Sequence, residues 1–218
     1  MTTRGLLDKE LDRLREFLVK MEDMVSTAIM GSVQALKERD VAAAEKIIEN
    51  DEKINKLRYR VERLGVVAIA TQQPMASDLR TIIAAMHIAI EMERMGDHAA
   101  GIANLVKEVA KEPLLKPLID VPRMAVISCE MLHSAIQAFL SGDVAAAKET
   151  AKRDSEVDQL YDQVLRELLT YMIQDPKNIQ RATILLWSAH GLERTADRVT
   201  NVCERVLFME TGKFKELR

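Results

Sequence analysis

The sequence predicts an all-α protein built as two tandem antiparallel three-helix bundles related by internal duplication. Three observations carry that expectation. Gly (8) and Pro (5) are scarce among 218 residues, while Leu, Ala, Glu, Lys, Arg and Met dominate, a composition of helix formers. Apolar residues reach 48% with only 4% aromatics, so the core is aliphatic. Finally, Glu93-Arg94-Met95-Gly96-Asp97 recurs one hundred positions later as Glu193-Arg194-Thr195-Ala196-Asp197. Further upstream the offset becomes 103, and Asp40-Val41-Ala42-Ala43-Ala44 matches Asp143-Val144-Ala145-Ala146-Ala147. Self-similarity at a fixed offset marks a duplicated unit.

Each helix has a local reason. Leu7, Leu11, Leu14, Leu18, Met21 and Val25 alternate steps of four and three, one apolar seam of a helix over 7–38. Asp40 caps a second helix that buries Val41, Ala44, Ile47, Ile54, Val61 and Leu64. Pro74 closes the connection, and Ser77 or Asp78 caps a third helix reaching Val109. Its seam reads Leu79, Ile83, Met86, Ile90, Glu93, Asp97. Two of the five prolines fall in 111–117, which reads as the linker between a first domain, 1–112, and a second, 113–218. The second half repeats the plan. A helix over 122–140 breaks at Ser141-Gly142, and Asp143 caps a helix running to Ile173. Asp175-Pro176 then opens the last helix, a cap followed by proline at the first helical position.

Charge and cysteine usage narrow the function. Thirty-one basic and 34 acidic residues are evenly mixed, with no basic stripe interleaved with aromatics, which argues against nucleic acid. Cys129 and Cys203 stand apart without metal or redox spacing, the pattern of a reduced, cytoplasmic protein. Thr2-Thr3-Arg4 opens no apolar leader, and the apolar run near Val66–Ala70 is too short to span a bilayer, so no membrane insertion is expected.

The acids are the informative residues. Glu93/Asp97 and Glu193/Asp197 are i,i+4 carboxylate pairs, which repel on one helix face by a few tenths of a kcal/mol. In the second helix Asp51 stands between Ile47 and Ile54, where a core residue belongs, and Asp154 stands likewise before Val157. In an antiparallel hairpin turning near Pro74, residues whose numbers total about 148 lie at equal height. That register sets Asp51 opposite Asp97 and Asn55 opposite Glu93; in the second half it sets Asp154 opposite Asp197 and Asp158 opposite Glu193. Facing carboxylates need protons or cations between them, and oxygen-only clusters suit magnesium, calcium, manganese or iron. Arg58, Arg94 and Arg194 offer the alternative of ordinary ion pairs.

At these residues the chain resembles the PhoU family of phosphate-regulon proteins. The resemblance rests on Gln73-Pro74-Met75-Ala76-Ser77-Asp78-Leu79-Arg80, on Glu91-Met92-Glu93-Arg94-Met95-Gly96-Asp97-His98, and on the stretch from Gly191 to Asn201. It implies two three-helix bundles in the cytoplasm, peripheral to the inner face of the membrane through partners. Those partners are a phosphate ABC-transporter ATPase and a sensor histidine kinase, with the protein as a homodimer and a negative regulator. It also implies multinuclear metal clusters, iron first, with manganese, magnesium, zinc or calcium as alternatives. Carried over, the ligands are Glu93/Asp97, Glu193/Asp197, Asp154/Asp158 and, imperfectly, Asp51/Asn55. Asn55 and Asn104 replace acids, Gly101 stands where Asn201 does in the second repeat, and Arg198 replaces a histidine.

Five acids, Asp154, Asp158, Glu193, Asp197 and Glu204, with Asn201, serve the second site; three, Asp51, Glu93 and Asp97, serve the first. Charged ligands set affinity, so the second site is expected to fill first and the first to hold fewer ions or none. Other candidates rank below. Glu130-Met131-Leu132-His133 has the ExxH spacing of di-iron bundles but no second copy. His190 reads as a hydrogen-bonded interior histidine, His98 as a surface or bundle contact, and Trp187 as packing. A hydrolase or oxidase using the carboxylate metal site, and a metal-free helical scaffold, are the competing functional readings. No nucleophile–base pair or Gly-rich phosphate loop supports the former.

Overall fold

The computed structural model describes the backbone of residues 3–217 and the side chains of 5–217, so the side chains of Thr2-Thr3-Arg4 lie outside it. Among the described residues there is no strand. The helices are α1 (Thr3–Glu38), α2 (Val41–Gln72), α3 (Ala76–Val109), α4 (Asp120–Ser141), α5 (Val144–Lys152), α6 (Asp154–Gln174) and α7 (Ile179–Thr211). α1–α3 form one bundle and α4–α7 the other.

The duplicated caps do the same work twice. The Asp40 carboxylate accepts from the Ala43 amide at 3.0 Å, and Asp143 accepts from Ala146 at 2.9 Å. Each supplies a partner to an amide that a helix start leaves orphaned. Asp175 also caps, accepting from Lys177 at 3.0 Å, but Pro176 first opens a single 3-10 turn, Pro176–Asn178, ahead of α7.

Two expectations need correction. The second helix of the second half is not continuous, because it breaks at Arg153. The Arg153 amide bonds back to Thr150 at 3.1 Å, an i→i−3 turn tighter than α. That turn aims the guanidinium at Glu130 of α4, 2.8 Å away. At the start of α3, Met75 takes the capping position without a side-chain bond, while Ser77 and Asp78 lie inside the helix. Gln73 is left-handed (φ 48°) and Pro74 ends α2, so the chain reverses within three residues and α3 begins before either capping side chain. α4 is long and apolar enough to cross a membrane by length and composition, and 56% of its apolar window is buried inside the molecule.

One hydrophobic cluster runs through both bundles. α3 and α7 form the spine, each packed on its own bundle and on the other. Being covered by α1, α2 and α7, α3 buries a broad set that includes Ile82, Ile88, Met92, Met95 and Ile102. The seam read from sequence, Leu79 through Asp97, is instead its half-buried edge. α3 and α7 run antiparallel in constant register: Arg80 Nε donates to the Met209 carbonyl (2.8 Å), and Glu91 meets Arg198. Gly191 passes His98, where an added Cβ would lie 3.3 Å from Ile102.

Candidate metal centre

The α2–α3 hairpin sets its acids at the expected heights. Gly96 leaves space for Asp51, whose Oδ1 would sit 3.1 Å from a Cβ built at that glycine. Asp51 Oδ1 is buried and has no hydrogen-bond partner, while Oδ2 accepts from Asn55 Nδ2 at 3.1 Å. Burial first, and then repulsion from Asp97, push the Asp51 carboxyl up, and the Asn55 bond partly offsets them. Glu93 is raised by burial and by Asp97, against the pull of Arg58 and Arg94. Arg58 Nε lies 3.9 Å from Glu93, while its Nη1 bonds Glu62 at 2.8 Å. Thus Arg58, not Asn55, reaches Glu93 in this structure. Asp97 is exposed at the rim.

The α6–α7 hairpin gives a similar arrangement in the second half. Glu193 is raised by burial, then by Asp197, with a further push from Asp158 across the hairpin. Arg194 and His190 pull the other way. Arg194 Nη1 donates to Asp197 at 3.0 Å, and His190 Nδ1 lies 3.2 Å from Glu193. His190 is exposed, not interior, with its ring 5.9 Å from that of Tyr161. Asp154 is half-buried and Asp158 exposed; Asp154 acts electrostatically on Cys203, which burial pushes up to about 12. Glu204 accepts from the Leu217 amide at 3.1 Å, which ties the C-terminal segment back to α7.

Asn201 is engaged elsewhere: its Nδ2 donates to Glu91 of α3 at 3.2 Å, beside Arg198 at 3.4 Å. Sequence reasoning missed Glu91. Its only signal is that a charged residue sits next to the buried Met92, and nothing local says that α7 covers it. The ExxH candidate comes apart, since Glu130 goes to Arg153 while His133 Nδ1 lies 3.5 Å from Glu22 of α1. Trp187 is 63% exposed and does not pack.

The donor chemistry fits a hard or borderline cation. The acids stand on facing helices, burial and mutual repulsion raise three of them, and one oxygen of Asp51 is buried and unbonded. As placed, however, no three His, Cys, Asp or Glu side chains among the described residues converge to hold an ion. Arginines supply part of the balancing charge.

Comparison with known proteins bears on the chain as a whole. The family model described as the PhoU domain matches twice, at residues 18–106 and 121–206, once in each bundle. A phosphate-specific transport system accessory protein PhoU homolog from Aquifex aeolicus is 39% identical over 95% of this chain and 94% of that protein. A homolog of the same name from Clostridium acetobutylicum is 33% identical over 99% of both. The crystal structure of PhoU from Pseudomonas aeruginosa superposes with a TM-score of 0.89 at 32% identity, covering 94% of this chain and 99% of that one. A phosphate transport system regulatory protein PhoU from Streptococcus pneumoniae does so equally, with a TM-score of 0.89 at 31% identity. The Aquifex and Clostridium relatives bear accessory names and the Streptococcus one a regulatory name. With both bundles matched and the alignments nearly end to end, the chain belongs to the PhoU family.

Proposed function

We propose that the chain is a non-enzymatic regulator of phosphate uptake and phosphate-starvation signalling, acting as an accessory protein of a phosphate-specific transport system. It couples the ABC-transporter ATPase to a sensor histidine kinase and damps the starvation response when phosphate is plentiful. It acts in the cytoplasm, held at the inner face of the membrane by those partners. The observation that carries this reading is the end-to-end match to accessory and regulatory relatives, with a family domain in each bundle.

The two units, 1–112 and 113–218, each hold a carboxylate metal site. Asp154, Asp158, Glu193 and Asp197, with Glu204 if the C-terminal segment releases it, would hold a cluster in the second. Glu93, Asp97 and Asp51, with the Asn55 amide oxygen, would hold fewer ions in the first. Iron is the first choice, with manganese, magnesium, zinc or calcium as alternatives. The metal would supply positive charge that lets facing acids stay ionised. The support is the electrostatic strain at Asp51, Glu93 and Glu193.

The test is expression in a bacterium lacking its own PhoU-family protein and carrying a phosphate-starvation reporter. In high phosphate the chain should return the reporter to its repressed level. A reporter that stays on at normal protein levels overturns the regulatory reading.

A further inference from the structure

The duplication supplies an internal control for a groove between α1 and α2. In the first half this groove encloses about 510 Å³. Met24, Ala28, Ile47 and Leu57 give it an apolar floor, which ends at Asp51 and Gly96. Lys20, Lys53, Lys56 and Arg60 stand along its rim, all exposed. Lys56 is offset by Glu52 at 2.8 Å and Lys53 leans on the Asn50 amide at 2.6 Å. Among the described residues no ion pair engages Lys20 or Arg60, and Asp23 is the one acid beside them on the rim.

In the second half the matching position is bridged. The offset of 103 replaces Thr27 by Glu130 and Asn50 by Arg153, and these two form an ion pair at 2.8 Å across α4 and the α5–α6 junction. The same offset keeps a cation at Lys20, as Arg123, but turns Lys53 into Glu156, Lys56 into Gln159 and Arg60 into Gln163. Bridging pair and the α2 side of the cationic rim thus change together. One repeat carries an ion pair between the two helices, while the other has no such pair and sets three cations on the α2 side of its groove.

We propose that the α1–α2 groove is a docking site for an acidic amphipathic helix of a partner protein. An amphipathic helix lays an apolar stripe into such a groove at i, i+3, i+4 and i+7. The lining of α2 runs from residue 47 to residue 60, about 20 Å at 1.5 Å per residue, the length of three to four turns. Acids flanking the stripe would meet the rim cations. An acyl chain matches less well, because the groove faces solvent along its length and would leave the chain half wet. A helix turns its own polar face outward there.

The test uses the full chain and a fluorescein-labelled synthetic peptide of about 14 residues, with leucines in the helical stripe and glutamates elsewhere. A control peptide carries lysine in place of glutamate. Anisotropy should show saturable binding of the acidic peptide and about tenfold weaker binding of the control. Thr27→Glu/Asn50→Arg imports the second half's bridge, and Lys20→Glu/Arg60→Glu reverses the rim at exposed positions that folding does not need. Each double variant should weaken the acidic peptide by about tenfold or more, with the helical circular dichroism signal and melting temperature retained. The proposal is overturned if the wild type binds both peptides alike or neither. It is equally overturned if the rim-reversed chain binds unchanged, or if phosphatidylglycerol vesicles bind the groove and the acidic peptide does not.

Discussion

Asp51, Glu93 and Glu193 share one electrostatic problem: burial and neighbouring acids raise all three carboxyls above their ordinary values of 3.8, 4.5 and 4.5. The sign of the stability effect follows from that direction. Between the unfolded and the raised folded pKa the native state binds more protons than the unfolded chain, so these groups cost stability progressively as pH rises through that window. In chelator-treated protein, Asp51→Asn/Glu93→Gln/Glu193→Gln should therefore melt higher than the wild type at neutral pH. That advantage should vanish as pH falls below the ordinary carboxylate range. Adding ferrous or manganous ion should raise the melting temperature of the wild type and leave the variant unmoved; a variant that melts lower at neutral pH removes the basis for metal. The two sites should also differ. Glu193→Gln/Asp197→Asn is expected to lose more bound metal than Glu93→Gln/Asp97→Asn, by elemental analysis of protein purified without chelator, because the second hairpin gathers more acids. Equal losses, or a larger loss from the first half, refute the ranking.

Helices and their pairing were largely legible in the sequence because their causes are local. Asp40 and Asp143 cap because each carboxylate reaches an amide three residues on, and the Asp51–Asp97 height follows from one short turn at Pro74. The break at Arg153 was not legible, because its partner Glu130 lies on another helix. Nor was Glu91, whose partners Arg198 and Asn201 depend on how α3 crosses α7. That crossing can be probed at glycines. A Cβ at Gly191 would meet Ile102 at 3.3 Å, whereas Gly101, on the exposed side of α3, has nothing within 4 Å. Gly191→Val should destabilise by about 1–3 kcal/mol through overpacking, and Gly101→Ala should stabilise by about 0.5–1 kcal/mol through helix propensity. Urea titration reads both. A Gly191→Val chain as stable as the wild type would mean that α3 and α7 do not approach this closely in solution.

Antiparallel α3 and α7 put the two hairpin turns at opposite ends of the molecule, since Arg80 lies by Met209 while Val109 lies beside Arg181. Each end exposes apolar side chains. Val66 (57% exposed), Val67 (42%) and Met75 (80%) mark the first, and Leu169, Ile173 and Ile179 the second. Ile69, two residues beyond Val67 on α2, instead packs partly buried against the core. Two separate patches on one chain permit either a closed pair or an open chain of molecules. An isologous dimer uses one patch twice and stops at two copies, whereas joining unlike ends propagates. A regulator that must stay soluble favours closure, and the first patch, with both valines side by side on α2, is the better self-complementary surface. Light scattering should therefore show a dimer that Val66→Glu/Val67→Glu dissociates and that Leu169→Glu/Ile173→Glu leaves intact. If the second substitution dissociates it instead, the interface belongs to the other end; a monomer at every concentration leaves the first hairpin tip without a self-interaction.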